Sequence, residues 1–373
     1  MKASDLLMDD ETLFRNEEVF TPSYVPEDFI HRDDQLKEMS ISLKPGLRGV
    51  NPVNTLVYGP PGTGKTTAVK YLFNEVAKVS NKMVAVYVNC DDHNTRFSVF
   101  SRIHEEVYGH SPPDTGKPLN SVKEKVFKKL QKDGKSLIVT LDEMDQLFLN
   151  NTIDQLLLDL LKAHTTYGYD KIGVIGIMPD DKVMGQLEAK TASVYNPVKV
   201  YFPPYSMKEV SDILGTREKY GLYDGVLPSD AFEYIIEKTF NAGDLRVGID
   251  LIRRSALLAE KDASKKVTME HVELAYERES RTTNIKKTVE SLDKLEKTLL
   301  SIILESDGLK SGEAYEKLRK KDGTGVKKYN QLTAKLEHYG LIESIPVPGR
   351  GQTRQLRLKH SPQDVKKVLE SLE

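Results

Sequence analysis

Residues 55–66 read Thr55-Leu56-Val57-Tyr58-Gly59-Pro60-Pro61-Gly62-Thr63-Gly64-Lys65-Thr66. A short apolar run leads into the pattern G-x-x-x-x-G-K-[ST], and a helical stretch from Thr67 to Ala77 follows. Gly59, Gly62 and Gly64 let a loop that also holds Pro60, Pro61 and Thr63 bend until its N–H groups face one phosphate chain. The helix starting near Thr67 adds the positive end of its dipole at the same point. Lys65 can reach β- and γ-phosphates, and the Thr66 hydroxyl can ligate Mg2+. A Gly-rich turn that matches by accident is the competing reading, and a strand before it and a helix after it make that rarer.

Outward from this loop the chain alternates strands and helices. Candidate strands are Thr55–Tyr58, Met83–Asn89, Ser136–Leu141, Ile172–Ile177 and Val198–Phe202. Each is a nearly unbroken apolar run, as in a parallel sheet covered on both faces. The third ends in Asp142-Glu143, two adjacent acids where α/β sheets bind ligands, at the carboxyl ends of their strands. Asp142 is placed to orient a Mg2+ shell, and Glu143 to polarise an attacking water. Asp142 taken alone could equally be a helix cap. After Ser206 the strand signals stop. Helices are expected over Met207–Leu214, Ser229–Phe240, Asp244–Lys261 and Thr268–Arg281, with Ser229, Asp244 and Thr268 as N-caps and Gly243 as a break. An all-helical module after a nucleotide domain suggests a lid. Arg246, near the start of one of these helices, meets the positive dipole end, so a phosphate or a surface ion pair must compensate it.

The chain has 373 residues, 29% charged and 39% hydrophobic, the composition of a globular protein with room for two or three domains. No apolar run approaches the ~20 residues of a membrane span, and the acidic start is no signal peptide. Cys90 is the sole cysteine, reads as a buried structural thiol, and excludes an internal disulfide. A cytoplasmic location, in contact with the nucleoid, is expected.

The C-terminal part reads helix (Leu292–Glu305), helix (Ser311–Lys320, with Ser311 as a loose cap), helix (Val326–Tyr339), then strands Leu341–Pro346 and Gln355–Leu358 around the turn 348–351. This is the layout of a winged helix. From Lys310 to Lys359 there are 12 Lys and Arg against 5 Asp and Glu, a net of +7 in a chain of net −2, which leaves −9 elsewhere. Such a basic module is an electrostatic footprint for nucleic-acid phosphate, against the plainer reading of a solvated basic face. In the third helix Tyr329, Leu332, Leu336 and Tyr339 are expected in the core. The opposite face presents Lys327, Lys328, Asn330, Gln331 and Lys335 to a major groove. The hairpin adds Arg350 at its tip for a minor groove, and Arg354 and Arg357 for phosphates.

Several segments together resemble the archaeal initiator branch of the AAA+ ATPases, the family of the origin recognition complex and cell division control protein 6. They are Tyr24-Val25-Pro26-Glu27 with His31-Arg32-Asp33, the phosphate loop, Leu141-Asp142-Glu143-Met144-Asp145, Tyr201-Phe202-Pro203-Pro204-Tyr205, and Gly243-Asp244-Leu245-Arg246. The likeness runs from about Tyr24 to Lys359. It implies an α/β AAA+ ATPase with a parallel sheet and flanking helices, an all-α lid and a C-terminal winged-helix domain. The division would be a tail at 1–22, the nucleotide domain at 23–205, the lid at 206–282 and the winged helix at 283–373. By the same resemblance Val25, Pro26, His31 and Arg32 line the adenine side, and Tyr205 also borders the nucleotide. Arg246 is the lid arginine that senses phosphate, and Arg96 belongs to an extra helix that touches DNA. The implied ligands are ATP or ADP with Mg2+. The implied partners are origin double-stranded DNA, a replicative helicase and other initiator subunits.

The chain departs from the family pattern twice. The slot after the fourth strand, usually a polar residue, holds Pro179, followed by Asp180. No Arg lies between Asp180 and Tyr205, where a finger is expected, and Lys190 is the nearest cation. Slow or switch-like hydrolysis is therefore expected. A signalling or loader-type AAA+ ATPase, whose winged helix is structural or protein-binding, remains the alternative.

Overall fold

The computed structural model describes residues 12–112, 118–281, 288–306, 308–346, 354–360 and 362–370. The chain forms two compact units, Met1–Met269 and Glu270–Glu373.

The first unit is built on a five-stranded parallel sheet, order β2-β3-β4-β1-β5. The strands are β1 (Thr55–Tyr58), β2 (Met83–Asn89), β3 (Ser136–Asp142), β4 (Ile172–Met178) and β5 (Val198–Tyr201). Every residue of β3 and β4 is buried, which is why those runs lack alternation. Side chains still take opposite sides: Leu56 enters one core, and its neighbour Val57 the other. The second core lies under α1 (Asp33–Leu47) and α2 (Lys65–Val79). The first lies under α3 (Arg96–Tyr108), α4 (Leu119–Asp133), α5 (Asp145–Leu149), α6 (Ile153–Leu161) and α7 (Ala163–Tyr167), with α8 (Ala189–Tyr195) closing it.

The helical module holds α9 (Met207–Gly221), α10 (Ser229–Ala242) and α11 (Leu245–Lys261), with α12 (Met269–Arg281) running into the second unit. Helix α9 is seven residues longer than the expected end at Leu214. It starts at a capping box in which the Ser206 hydroxyl accepts from Glu209 N–H and the Glu209 carboxylate accepts from Ser206 N–H. Asp244 caps α11 as expected. Ser229 does not cap α10: Pro228 holds the extended backbone before it, and Ser229 is the first helical residue. Gly243 ends α10 in the left-handed conformation, φ 65°.

Residues 12–20, at the end of the stretch read as a tail, are docked on this module. Arg15 and Asn16 N–H donate to the Gly221 carbonyl, Leu13 N–H donates to Glu260, and Glu17 pairs with Arg253. A single 3-10 turn, Glu17–Phe20, buries Val19 and Phe20.

The second unit contains α13 (Lys294–Leu304), β6 (Leu309–Lys310), α14 (Ser311–Asp322), α15 (Val326–His338), β7 (Ile342–Pro346), β8 (Arg354–Leu358) and α16 (Pro362–Glu370). The sheet order is β6-β8-β7, antiparallel, with Ile342 opposite Leu358 and Pro346 opposite Arg354. This is the winged-helix layout, with β6 and α16 added to the expected elements. Its separate core joins Leu299, Leu300 and Ile303 to Leu332, Leu336, Leu356 and Val365. Ser311 caps nothing; its hydroxyl meets that of Tyr329 at 3.0 Å. Tyr339 is 38% exposed, against the expectation of a core position, because α15 ends at His338 and the chain turns away there.

Candidate functional site

The phosphate loop turns through Gly62 (φ 70°) to Gly64 (φ 88°), which precedes α2. Positive φ favours glycine at both, and space requires it. A Cβ on Gly62 would collide with Asp244 of the lid, and one on Gly64 would lie 2.7 Å from the Tyr205 hydroxyl. Thr63 is buried and donates to the Pro60 carbonyl at 2.8 Å. Lys65 Nζ donates to the carbonyls of Gly59 at 2.6 Å and Pro60 at 2.8 Å. Burial holds the Lys65 ammonium below its ordinary pKa, and nearby Asp142 partly opposes this. Pro61 is exposed, and Thr66 and Thr67 are half-buried on the first turn of α2. A backbone cradle at a helix N-terminus, with a lysine over it, fits a polyphosphate.

β3 delivers the two acids beside this cradle. Asp142 Oδ2 accepts from the Thr66 hydroxyl and from the Tyr87 hydroxyl, both at 2.7 Å, and Oδ1 accepts from Glu143 N–H at 3.0 Å. The Thr66 hydroxyl gives its hydrogen to Asp142, so its lone pairs remain for a cation. Hydroxyl and carboxylate oxygens suit Mg2+, whose other positions phosphate and water would fill. Among the described residues no group of three or more His, Cys, Asp or Glu forms an all-protein cage. Glu143 stands in the left-handed region at φ 54°, uncommon for a residue with a side chain and typical of functional turns. Its carboxyl is pushed up to about 7, first by a hydrogen bond to the Asp91 carboxyl, then by burial and by the charges of Asp91, Asp142 and Asp145. Asp145, two residues on, is itself raised by burial, and its Oδ1 is buried with no partner.

The lid meets the cradle through Asp244 and Arg246. Arg246 Nε lies 3.0 Å from Asp244 Oδ1 and Nη2 lies 2.6 Å from Oδ2, while Arg246 N–H caps onto the same carboxylate at 2.9 Å. The arginine at a helix start is thus compensated by its own N-cap. It still senses the site: its charge lowers Lys65, and Glu143 raises it. His31, at φ 63°, places Nε2 3.0 Å from Asp212 on α9. Arg32 is buried, donates to the carbonyls of Thr63 at 3.2 Å and Pro203 at 2.7 Å, and stacks on Tyr205 at 3.7 Å. It braces the phosphate loop against the crossing into the lid. Val25 and Pro26 are half-buried, next to Tyr24, which lies under the Arg217 guanidinium at 4.4 Å.

Past β4, Pro179 offers no donor, and Asp180 accepts from Lys182 N–H at 2.7 Å. Arg96 opens α3 and pairs with Asp159 on α6, which also holds the buried Lys123 at 2.8 Å. On α15, Lys327, Lys328, Asn330 and Gln331 are exposed. Lys335 instead lies 2.6 Å from Glu296, a carboxylate only 2% exposed. Arg354 and Arg357 are exposed on β8, with Glu343 opposite Arg357. Arg350 lies outside the described residues. Tyr87, Asp91 and Arg217 were absent from the sequence reading: Tyr87 and Arg217 sit in runs that look structural, and nothing local marks Asp91.

Residues 28–167 match the AAA ATPase domain family, and residues 211–277 match the Cdc6 AAA+ ATPase-type lid domain. The chain is 38% identical over 367 residues to ORC1-type DNA replication protein 2 of Methanosarcina acetivorans, covering 98% of each chain. It is 36% identical over 366 residues to ORC1-type DNA replication protein 2 of Methanothermobacter thermautotrophicus, covering 97% of this chain and 96% of the relative. Its fold is similar to that of the Aeropyrum pernix ORC1 protein solved in complex with DNA, with TM-score 0.74, 27% identity, and 97% and 98% of the two chains covered.

Proposed function

The chain belongs to the family of ORC1-type DNA replication proteins, AAA+ replication initiators, and on that premise we propose that it is an ATP-governed switch that binds origin duplex DNA and helps recruit the replicative helicase. The observation that carries this is the meeting of Lys65, Thr66, Asp142 and Glu143 with the lid pair Asp244–Arg246 in one place.

Phosphate oxygens are stronger acceptors than peptide carbonyls, so a bound nucleotide draws Lys65 Nζ off Gly59 and Pro60. A γ-phosphate competes with Asp244 for Arg246, so ATP and ADP make different contacts with the lid. Mg2+, when bound, neutralises phosphate charge. Glu143 orients and deprotonates the attacking water. With Pro179 beyond β4, turnover is slow, and the nucleotide acts mainly by its presence. The domain division 23–205, 206–282 and 283–373 is part of this reading.

DNA binding is assigned to the exposed face of α15 and to β8: Lys327, Lys328, Asn330, Gln331, Arg354 and Arg357, together with Arg350. Arg96 and Lys335 have internal carboxylate partners and are left to structure. The DNA complex of the Aeropyrum relative supports the reading.

The test is duplex binding across a salt series, with ATP, ADP or no nucleotide, for wild type, Lys65→Ala and the triple variant Lys328→Ala, Arg350→Ala, Arg354→Ala. Strong salt dependence, with a slope shallower by about 2–3 in the triple variant, is expected. Absence of duplex binding at low salt overturns the DNA assignment. Indifference of DNA binding and helicase recruitment to nucleotide and to Lys65→Ala overturns the switch.

A further inference from the structure

The Asp142 carboxylate is held from an unanticipated side. β3 runs between β2 and β4. On the β4 side the chain offers Pro179, and Asp180 is turned to Lys182. On the β2 side Tyr87 reaches across, and its hydroxyl donates to Asp142 Oδ2 at 2.7 Å. That oxygen also accepts from Thr66, and the remaining oxygen accepts from Glu143 N–H. The Tyr87 ring is fixed in turn: Lys70, on the same helix as Thr66, sets its ammonium 4.5 Å from the ring centroid.

A carboxylate turns easily about its last torsion, which has broad, two-fold preferences. Donors on both oxygens remove that freedom. With Thr66 and Tyr87 sharing Oδ2, the plane of Asp142 is set before any cation arrives. A phenol hydroxyl has one hydrogen to donate, and here it is given to the Asp142 carboxylate.

We propose that Tyr87 is a positioning residue for Mg2+–nucleotide binding, acting through Asp142 and supplying from β2 the polar support that β4 lacks. The proposal rests on the nucleotide reading above. The two are separable by experiment.

The full chain, as wild type and Tyr87→Phe, would be titrated with Mg2+ while binding a fluorescent ATP analogue. Parallel measurements in EDTA and thermal melting without nucleotide complete the set. The phenylalanine keeps the ring and loses only the hydroxyl. Tyr87→Phe is expected to melt like wild type and bind the analogue equally in EDTA, yet to need about tenfold more Mg2+ for half-maximal tightening, the low end for outer-sphere partners of a metal. An unchanged Mg2+ requirement overturns the proposal. So does a loss of binding in EDTA that parallels a lower melting temperature, since that is a structural role. If wild type itself shows no Mg2+-dependent tightening, the nucleotide reading fails first and the proposal falls with it.

Discussion

At the scale of single residues, the site differs from its sequence outline through carboxylates that find unexpected partners. Glu143 has its carboxyl raised from 4.5 to about 7, with the Asp91 hydrogen bond as the first cause. The folded value lies above the unfolded one, so this group's contribution to stability is full below pH 4.5 and is lost as pH rises through about 7. In the proposed mechanism the dependence runs the other way, because Glu143 must be unprotonated to act as a base. The acid limb of kcat/KM for ATP is therefore expected near pH 7, and Asp91→Ala should move it toward the ordinary carboxyl range around pH 4–5. A pH–rate profile checks this; a limb that stays in place would show that Asp91 does not control the base. Lys335 carries the same lesson. Its sequence position on the polar face of α15 is right, but Glu296 is buried beneath it. Removing a charge from such a pair exposes the penalty of the other, so Lys335 is fixed by folding before any DNA arrives.

At the scale of elements, helix ends were the least legible part. Ser229 and Ser311 are good capping residues by type, but Pro228 and Lys310 take the cap positions. Which residue caps depends on where the incoming chain is held, and tertiary contacts decide that. The 12–20 segment is the larger case. Its polar, acidic sequence reads as a tail, yet Val19 and Phe20 are buried and the Val19 carbonyl accepts from Arg217 at 2.7 Å. A Cβ at Gly221 would collide with the Phe20 ring. Gly221→Ala is expected to cost about 1–3 kcal/mol through overpacking and to release the segment. Limited proteolysis, read as faster cleavage at Arg15 together with a lower melting temperature, measures it. Unchanged cleavage would mean that the ring moves aside without undocking.

At the scale of the molecule, two units whose cores share no residue predict two unfolding events. The first unit contains the sheet cores and the phosphate loop, the second its own helical core around Leu299 and Leu336. Mg2+–ATP at 100 times its Kd should stabilise the first by about 2.7 kcal/mol and leave the second unmoved. Calorimetry with and without nucleotide tests this: one transition that shifts as a whole would mean that the units unfold together. The basic stretch from Lys310 to Lys359, of net +7 in a chain of −2, lies wholly within the second unit. Among the described residues no helix is long and apolar enough to cross a membrane.

The amino-acid sequence by itself determined the α/β class, all five strands to within a residue, the phosphate loop and the acids that face it. These depend on local periodicity and on chemistry concentrated in short runs, and both can be read along one dimension. Only the tertiary structure decided that Tyr87 bonds to Asp142 and Asp91 to Glu143, that Asp244 lies against Gly62, that Arg32 reaches Thr63 and Pro203, and that Lys335 pairs with Glu296. The partners of those side chains are far away in sequence or belong to a neighbouring strand or turn. A hydrogen bond or an ion pair depends on distance in space and on burial, and neither quantity is written in the order of residues.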